Sequence, residues 1–302
     1  MGERLPAELH SGVEAGYKLS INAATKLVGL GDECDVWRTD TSKGTLVVRI
    51  SPSWRTKVQL EWSHSLLAFV ATQLPEAIAP LAGSNGTTAF MWQEHPVSVY
   101  PWVEGEQLRR EDRRACDAAA GLLGRLHNAM LLWPEGLMRT VREFTPMERE
   151  PTPDLKDPDL DEQLSELFRQ PEAVRGPIHG DYYPRNLICR DQRIVGVIDW
   201  DDSRIDLLAQ ELAWAVWEFA QDPSEADLHV EHARRFLAAY RRAGGPVPSD
   251  ENRYIVPLIR KRLREEVDQA EAWVARGAAI DREYTNREIE AFHKLRGVNI
   301  EW

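Results

Sequence analysis

The sequence predicts an α+β protein with a small sheet-plus-helix N-lobe over residues 1–100 and a larger, mainly helical C-lobe over residues 101–302. Short strand-like runs bounded by turn residues fill much of the first hundred positions. Apolar residues at helical spacing fill most of the remaining chain. A single hairpin pattern over residues 187–198 interrupts these helices and has polar residues beside both ends.

The chain is acidic, with 302 residues and a formal net charge of -12. This length allows sizeable cores. The acidic surplus argues against a nucleic-acid partner, because binding a phosphate backbone needs a cationic face. It suits a cationic small-molecule ligand, although many proteins are acidic for solubility alone.

Targeting signals and metal-binding cysteine patterns are missing from the sequence. No run of eighteen apolar residues occurs, and the first residues lack the apolar segment of a signal peptide. Cys34, Cys116 and Cys189 lie far apart and match no zinc spacing. We therefore expect a cytoplasmic protein with reduced thiols, a monomer or weak homodimer that binds no membrane.

The N-lobe pattern predicts strands that surround one helix. Residues 26–39 favour a strand, a glycine turn and a second strand, and residues 45–50 favour a third. Residues 58–73 have the apolar face of a helix. Two further strands are predicted within residues 80–102, on either side of an Asn-Gly turn at 83–86.

The C-lobe pattern predicts a series of amphipathic helices. Ser224 and Asp227 approximate a capping box for one of them. Residues 148–172 are acidic and rich in proline, so they form either an acidic lip over a substrate pocket or a solvated surface. The predicted helices cover residues 112–130, 159–168, 207–219, 224–240 and 251–275.

The most informative stretch is His-Gly-Asp-Tyr-Tyr-Pro-Arg-Asn at 179–186, followed by Ile-Asp-Trp at 198–200. Pro177 and Gly180 are expected to bracket a turn. Residues 187–190 and 193–198 predict a hairpin that brings Asn186 close to Asp199. A hydroxyl that attacks a phosphate needs one carboxylate aimed at its proton, and Mg2+ takes hard oxygen ligands. The alternative is a loop whose Asp and Asn residues serve turn chemistry only.

These two segments, HGDYYPRNLICR and VIDWDD, resemble the aminoglycoside phosphotransferase and choline kinase-like family, whose fold is protein-kinase-like. The resemblance implies that Asp181 is the catalytic residue and that Asn186 and Asp199 bind Mg2+. It also implies that ATP or GTP lies between a nucleotide-covering N-lobe and a catalytic, acceptor-binding C-lobe.

The same resemblance implies a set of nucleotide contacts. Arg49 would bind the phosphates, paired with Glu61 on the following helix, although Glu33 or solvent are rivals for this guanidinium. The resemblance also places a glycine loop over the phosphates. Without the later motif, this strand-turn-strand pattern would indicate only a β-hairpin. The remaining implied contacts are the loop glycines Gly29 and Gly31, the apolar adenine neighbours Val47, Ile188 and Ile198, and the linker residues Pro101 and Val103.

Acceptor-binding residues are expected among acidic side chains of the C-terminal part. In the family, this part shapes the acceptor pocket and carries acidic side chains when the acceptor is a polyamine sugar. Glu211 stands where the family usually has Asp, and His127 is expected to be structural. The acceptor candidates are Asp201, Asp202, Glu218, Asp222, Glu265 and Asp268.

Three functions remain open at this point. The first is an ATP-dependent O-phosphotransferase that acts on a small cationic molecule such as an aminoglycoside antibiotic. The second is a metabolic kinase of the choline, homoserine or sugar type on the same fold. The third is an inactive nucleotide-binding protein, against which the intact Asp181, Asn186 and Asp199 argue.

Overall fold

The computed structural model describes residues 4–27, 34–134, 152–222, 224–275 and 279–298. The chain divides into two compact units. Within the described residues, the first unit contains the chain up to Glu106, residues 133–134 and Ile188–Ser203, and the second contains the rest. The assignment of nucleotide covering and acceptor binding to separate lobes stays a prediction.

The first unit contains an antiparallel five-stranded sheet in the order β1-β2-β3-β5-β4. The predicted strands at 26–39 and 45–50 are present with shifted ends. The strands are β1 (Ile21–Leu27), β2 (Asp35–Thr41), β3 (Gly44–Ile50), β4 (Ala89–Trp92) and β5 (His95–Pro101).

One face of β3 supplies the core of this unit. Leu46, Val48 and Ile50 are buried, whereas the alternating residues Val47 and Arg49 are only partly buried. Period-2 alternation therefore leaves Val47 and Arg49 together on the opposite face, as the sequence predicts.

A first helix, α1 (Ala7–Tyr17), packs on this core and was not predicted. Leu9, Val13 and Tyr17 are its buried residues, spaced four apart on one stripe. The helical spacing is thus present in the sequence, but only three apolar side chains carry it.

The second helix, α2 (Lys57–Ala71), begins at a capping box in which Thr56 and Gln59 exchange hydrogen bonds. Its predicted range, 58–73, is correct to within two residues at each end.

The hairpin predicted around the Asn-Gly turn at 83–86 is wrong. Both strands follow that turn, and the chain reverses at residues 93–94, because Trp92 pairs with His95. The Asn85 side chain instead accepts hydrogen bonds from the backbone and hydroxyl of Thr87, which closes a local loop. Asn-Gly chemistry thus serves an Asx turn here.

A three-stranded sheet contains β6 (Glu106–Gln107), β8 (Leu187–Arg190) and β9 (Arg193–Val197), in the order β6-β8-β9. The boundary between the two units crosses β6 and β8. Asp191 and Gln192 connect β8 to β9 with positive φ angles of 50° and 60°, the signs required by a type I′ turn. The hairpin predicted from the sequence is therefore confirmed at this position.

The second unit is mainly helical. Short 3-10 segments occur at Pro153–Leu155, Pro184–Asn186, Ser249–Tyr254 and Leu295–Gly297. None of the helices in the described ranges has the length and apolar character that a membrane crossing requires. The α-helices are α3 (Arg113–Leu131), α4 (Pro158–Arg169), α5 (Leu208–Ala220), α6 (Val230–Arg242), α7 (Ile255–Val274) and α8 (Arg282–Lys294).

Two helix predictions need correction. Ser224 does not cap a helix, because it hydrogen-bonds Asp222, and α6 begins only after His229. The helix predicted over 251–275 begins with a 3-10 segment, and a further helix, α8, follows it.

A second short sheet pairs β7 (Arg175–Ile178) with β10 (Arg204–Leu207), and neither strand was predicted. Pro177 lies within β7, opposite Ile205, so it does not bracket a turn with Gly180. Proline is compatible with this position because a two-stranded sheet consists only of edge strands.

We expect Gly105→Ala to lower the free energy of unfolding by about 2 kcal/mol, the usual cost of overpacking. A Cβ at this residue would lie 2.5 Å from the backbone oxygen of Cys189 and 2.7 Å from Ile188. Urea unfolding measures the loss. Gly16→Ala in α1 is the matched control: its Cβ meets no atom within 4 Å, so it should stabilise by about 0.5–1 kcal/mol. Equal effects of both substitutions would contradict the packing explanation.

Candidate active site

The loop that follows β7 carries Asp181. Gly180 has a φ of 89°, a conformation that glycine adopts without strain. His179 is fully buried, and its Nδ1 accepts a hydrogen bond of 3.2 Å from the backbone N–H of Asp181. The hydroxyl of buried Tyr182 donates to the carbonyl of Ala119 on α3. The backbone around Asp181 is therefore held from both sides.

Asn186 and Asp181 are in direct contact within the second unit. The amide nitrogen of Asn186 donates to the backbone oxygen of Asp181 at 2.9 Å and to its carboxylate Oδ2 at 3.0 Å. The side-chain oxygen of Asn186 accepts no hydrogen bond from the residues that the structure describes. The amide thus orients the Asp181 carboxylate and leaves a hard oxygen available as a ligand.

A buried carboxylate fixes this loop. Glu211 on α5 accepts hydrogen bonds from the backbone N–H of His179 at 3.2 Å and of Gly180 at 2.6 Å. It also contacts His127 Nε2 at 2.9 Å, and the other ring nitrogen of His127 contacts the Tyr240 hydroxyl at 2.7 Å. Burial would raise the pKa of Glu211, but the hydrogen bonds from His127 and Gly180 lower it overall. Glu211 therefore stays ionised, and His127 has a structural role.

In the first unit, Asp199 and Arg49 form an ion pair. Arg49 Nη2 lies 2.7 Å from Asp199 Oδ1, and Nη1 lies 2.6 Å from Asp201 Oδ1. Burial pushes the pKa of this guanidinium down, but the two carboxylates raise it well above its ordinary value. Asp199 itself has a φ of 62°, in the left-handed region that non-glycine residues seldom adopt.

The predicted ion pair between Arg49 and Glu61 is wrong. Glu61 pairs with Lys57, one turn earlier on α2, at 2.8 Å. The carboxylates of Asp199 and Asp201 already occupy both terminal nitrogens of the Arg49 guanidinium.

The implied adenine neighbours are half-buried residues of the first unit. A Cβ placed at Gly196 would lie 3.4 Å from both Ile188 and Val103, so these two side chains meet around that glycine. Pro101 is paired with Leu46 at the end of β5. The other implied neighbours, Val47 and Ile198, are also half-buried, whereas Gly29 and Gly31 lie outside the described residues.

The residues present suit a magnesium ion better than a metal held by the protein alone. Among the described residues, no group of three or more His, Cys, Asp and Glu side chains could hold a metal ion. Mg2+ is commonly bound by one or two side chains together with phosphates and waters. The available oxygen of Asn186 in the second unit suits such a donor set, and so does the partly exposed carboxylate of Asp199 in the first. Their joint role as metal ligands stays a prediction.

Most acceptor candidates already have partners in the structure, and their role in binding stays a prediction. Asp201 contacts Arg49, and Asp202 contacts Arg55. In the second unit, Asp222 contacts Ser224, Glu265 pairs with Lys261, and Asp268 accepts from the backbone and hydroxyl of Thr152.

Glu218 belongs to an acidic group with Glu266 and Glu288, which come from α5, α7 and α8. Burial is the main cause that raises the pKa of Glu218 to about 7 and the pKa of Glu288 to about 8. The negative charge of Glu266 raises both pKa values further. Glu288 is 6% exposed, and its Oε2 has no hydrogen-bond partner in the described structure. Arg110, 3.8 Å from Glu218, and Arg262, 2.6 Å from Glu266, offset part of the negative charge.

The model of the APH phosphotransferase enzyme family matches residues 26–248. The chain belongs to this family. It is a small-molecule kinase whose acceptor is a hydroxyl group, and the family implies the use of ATP. A homoserine kinase from Hyphomonas neptunium is 22% identical over 257 residues, which cover 78% of this chain and 77% of that relative.

Solved structures of similar proteins agree with a protein-kinase-like fold. An amicoumacin kinase in complex with AMP-PNP and Ca2+ superposes with a TM-score of 0.74 at 15% identity, over 95% of this chain and 92% of that one. A microcompartment-associated aminopropanol kinase gives a TM-score of 0.68 at 18% identity, over 95% and 94%.

Two acidic residues of this phosphotransferase were missed by sequence reasoning. Glu266 and Glu288 lie beyond residue 248, where the family match ends. Glu288 could not be placed because α8 was not predicted. The apolar residues Ile289 and Phe292, which follow Glu288 at a spacing of three, were the available signal for a helix.

Removal of the Glu211 carboxylate is expected to destabilise the kinase strongly. Glu211→Ala leaves the N–H groups of His179 and Gly180 without their acceptor, so we expect a loss of about 3 kcal/mol by urea unfolding. Glu265→Ala removes an exposed pair with Lys261 and should cost less than about 1 kcal/mol. Similar losses for both variants would show that the Glu211 network contributes little.

Glu288→Gln is expected to weaken the pH dependence of stability. The raised pKa means that folded Glu288 keeps a proton above pH 4.5, where the unfolded chain releases it. Its stabilisation is therefore complete below pH 4.5 and is lost as the pH rises towards 8, by about 1.4 kcal/mol per pKa unit. Because Gln imitates the protonated acid, the variant should gain on the wild type as the pH rises.

Urea unfolding at several pH values from acidic to mildly alkaline tests this expectation. Glu290→Gln is the matched control, since Glu290 lies on the same helix and forms an exposed pair with Lys294. Parallel pH profiles for wild type and Glu288→Gln would contradict a buried, protonated Glu288.

Proposed function

We propose that this kinase transfers the γ-phosphate of ATP to the hydroxyl of a small cationic amino alcohol. The observation that carries the transfer step is the contact between Asn186 and Asp181, which orients a carboxylate on the motif that the family uses for catalysis. A nucleotide-binding protein without activity would have no need of this arrangement.

The protein contributes mainly orientation and charge. The Asp181 carboxylate accepts the proton of the acceptor hydroxyl while that oxygen bonds to the γ-phosphorus and ADP leaves. Arg49 contacts the phosphates and compensates their negative charge. Asn186 and Asp199 would hold Mg2+, which supplies charge neutralisation of the phosphates when it is bound.

The acidic group of Glu218, Glu266 and Glu288 supports an acceptor that carries an amine. The raised pKa values indicate that Glu218 and Glu288 hold protons near neutral pH. An ammonium group would replace these protons and pair with Oε2 of Glu288. Homoserine and aminopropanol, named in the similar kinases, both combine an amine with a hydroxyl. The homoserine kinases among the sequence relatives support a small metabolic amino alcohol, whereas an aminoglycoside, the acceptor class named for several similar structures, is the second candidate.

An acceptor screen tests this proposal. ADP release is measured with ATP or GTP and homoserine, aminopropanol, choline, an aminoglycoside or an amine-free sugar, and the product is identified by phosphorus NMR. We expect turnover with an amino alcohol and none with the sugar. Turnover of the sugar alone would overturn the amine requirement, and no turnover with any hydroxyl compound would argue against the proposed acceptor class.

Asp181→Ala is expected to lower kcat by at least about 100-fold, because the proton acceptor is lost. The affinity for ATP should change little, since Asp181 acts on the acceptor hydroxyl. Steady-state kinetics and nucleotide titration separate the two effects. Asp191→Asn, on the exposed turn between β8 and β9, is the control and should keep wild-type turnover. Near-full turnover of Asp181→Ala would rule out the catalytic role.

A further inference from the structure

Arg49 is held by two carboxylates that differ in their exposure. The Asp201 side chain is 4% exposed, whereas that of Asp199 is 33% exposed, and each lies within 2.7 Å of a different terminal nitrogen of the guanidinium. A ligand can therefore reach Asp199 more readily than Asp201. The bond from Arg49 to Asp201 is the one that can persist while ligands exchange.

Asp201 is itself fixed by a second buried cation. Arg55 Nε lies 3.5 Å from Asp201 Oδ2, and Arg55 Nη1 donates to the backbone oxygen of Asp201. Arg55 Nη2 lies 3.3 Å from Asp202, which extends the contact along the loop. Since the Arg55 side chain is 5% exposed, water competes little for these contacts.

The backbone before and after Asp201 is also constrained. The indole of Trp200 donates to the carbonyl of Val197 at 3.1 Å. The hydroxyl of Ser203 donates to the carbonyl of Trp200 at 2.6 Å, and both side chains are buried. A carboxylate on such a turn has little freedom, which suits a residue that positions another side chain.

We propose that Asp201 is the positioning residue for Arg49 and takes the place that the family resemblance gives to Glu61. The guanidinium of Arg49 keeps its bond to Asp201 when nucleotide binds, and its other nitrogen turns from Asp199 to a phosphate oxygen. One turn, at residues 199–201, would thus carry both the candidate metal ligand and the anchor of the phosphate-binding cation. This inference rests on the proposed role of Arg49 in nucleotide binding.

The geometry of α2 supports this substitution of roles. Glu61 is engaged by Lys57 at 2.8 Å on a partly exposed surface. An Arg that must grip phosphate needs its orientation fixed, because its fork of donors is directional. The buried Asp201 meets that need in this chain.

The test measures AMP-PNP binding with Mg2+ by calorimetry for Asp201→Asn and Glu61→Gln. We expect Asp201→Asn to weaken binding about tenfold, the equivalent of about 1.4 kcal/mol, and Glu61→Gln to change it less than about twofold. Steady-state kinetics should show a raised KM for ATP in Asp201→Asn and an unchanged KM for the acceptor. A loss in Glu61→Gln with none in Asp201→Asn overturns the proposal.

Two further variants show whether Asp201 acts through Arg49. Arg49→Met and Arg49→Met/Asp201→Asn should bind AMP-PNP equally weakly, because Asp201 has no effect on binding once the Arg49 guanidinium that it positions is absent. An additional loss in the double variant overturns the positioning role. If Asp201→Asn alone fails to fold, the double variant should fold, since it also removes the guanidinium that has lost its buried carboxylate partner. A double variant that stays unfolded contradicts the proposal.

Wild-type protein separates this inference from the proposed function. If it binds no AMP-PNP, the proposed nucleotide use fails, and the inference fails with it. If wild type and Asp201→Asn bind AMP-PNP equally well, only the role of Asp201 is lost. Thermal melts with and without AMP-PNP give an independent readout of the same comparison.

Discussion

A charge removed from water must meet an opposite charge or several hydrogen-bond donors, and this constraint organises both motifs of the chain. In the second unit, Glu211 is buried and receives two backbone N–H groups of the loop that carries Asp181. In the first unit, Asp201 is buried and holds Arg49. The two carboxylates lie in different units, but each one fixes the position of a proposed active-site residue: Glu211 fixes Asp181, and Asp201 fixes Arg49.

The two buried carboxylates also explain how the chain departs from its family pattern. Glu211 is one methylene longer than the usual Asp, and it reaches His127 as well as the loop. Asp201 binds Arg49, the cation that the resemblance pairs with Glu61. Glu61 instead forms an ion pair with Lys57 on α2. Both departures replace a side chain without loss of the paired charge, so the electrostatic requirement is kept while the residues change.

The acidic group on α5, α7 and α8 differs from these two carboxylates, because its negative charges are not fully paired with cations. Burial and mutual repulsion raise the pKa values of Glu218 and Glu288 into the neutral range. Such a group is costly for stability as the pH rises, and strongly shifted pKa values cluster at functional sites. A cationic acceptor would supply the missing charge, which links the local electrostatics to the choice of substrate.

The sequence by itself determined the hairpin at 187–197, the ranges of α2, α3 and α5 to within two residues, and the family, since each depends on local spacing and turn chemistry. It placed the hairpin between 80 and 102 wrongly, because Asn85 could serve either a hairpin or a local loop. It missed α8 and the partners of Arg49. Only the tertiary structure decided that Asp201, rather than Glu61, binds this cation. The ion pairs of Arg49 with Asp199 and Asp201 join residues about 150 positions apart, and burial selects among several carboxylates that no local pattern distinguishes.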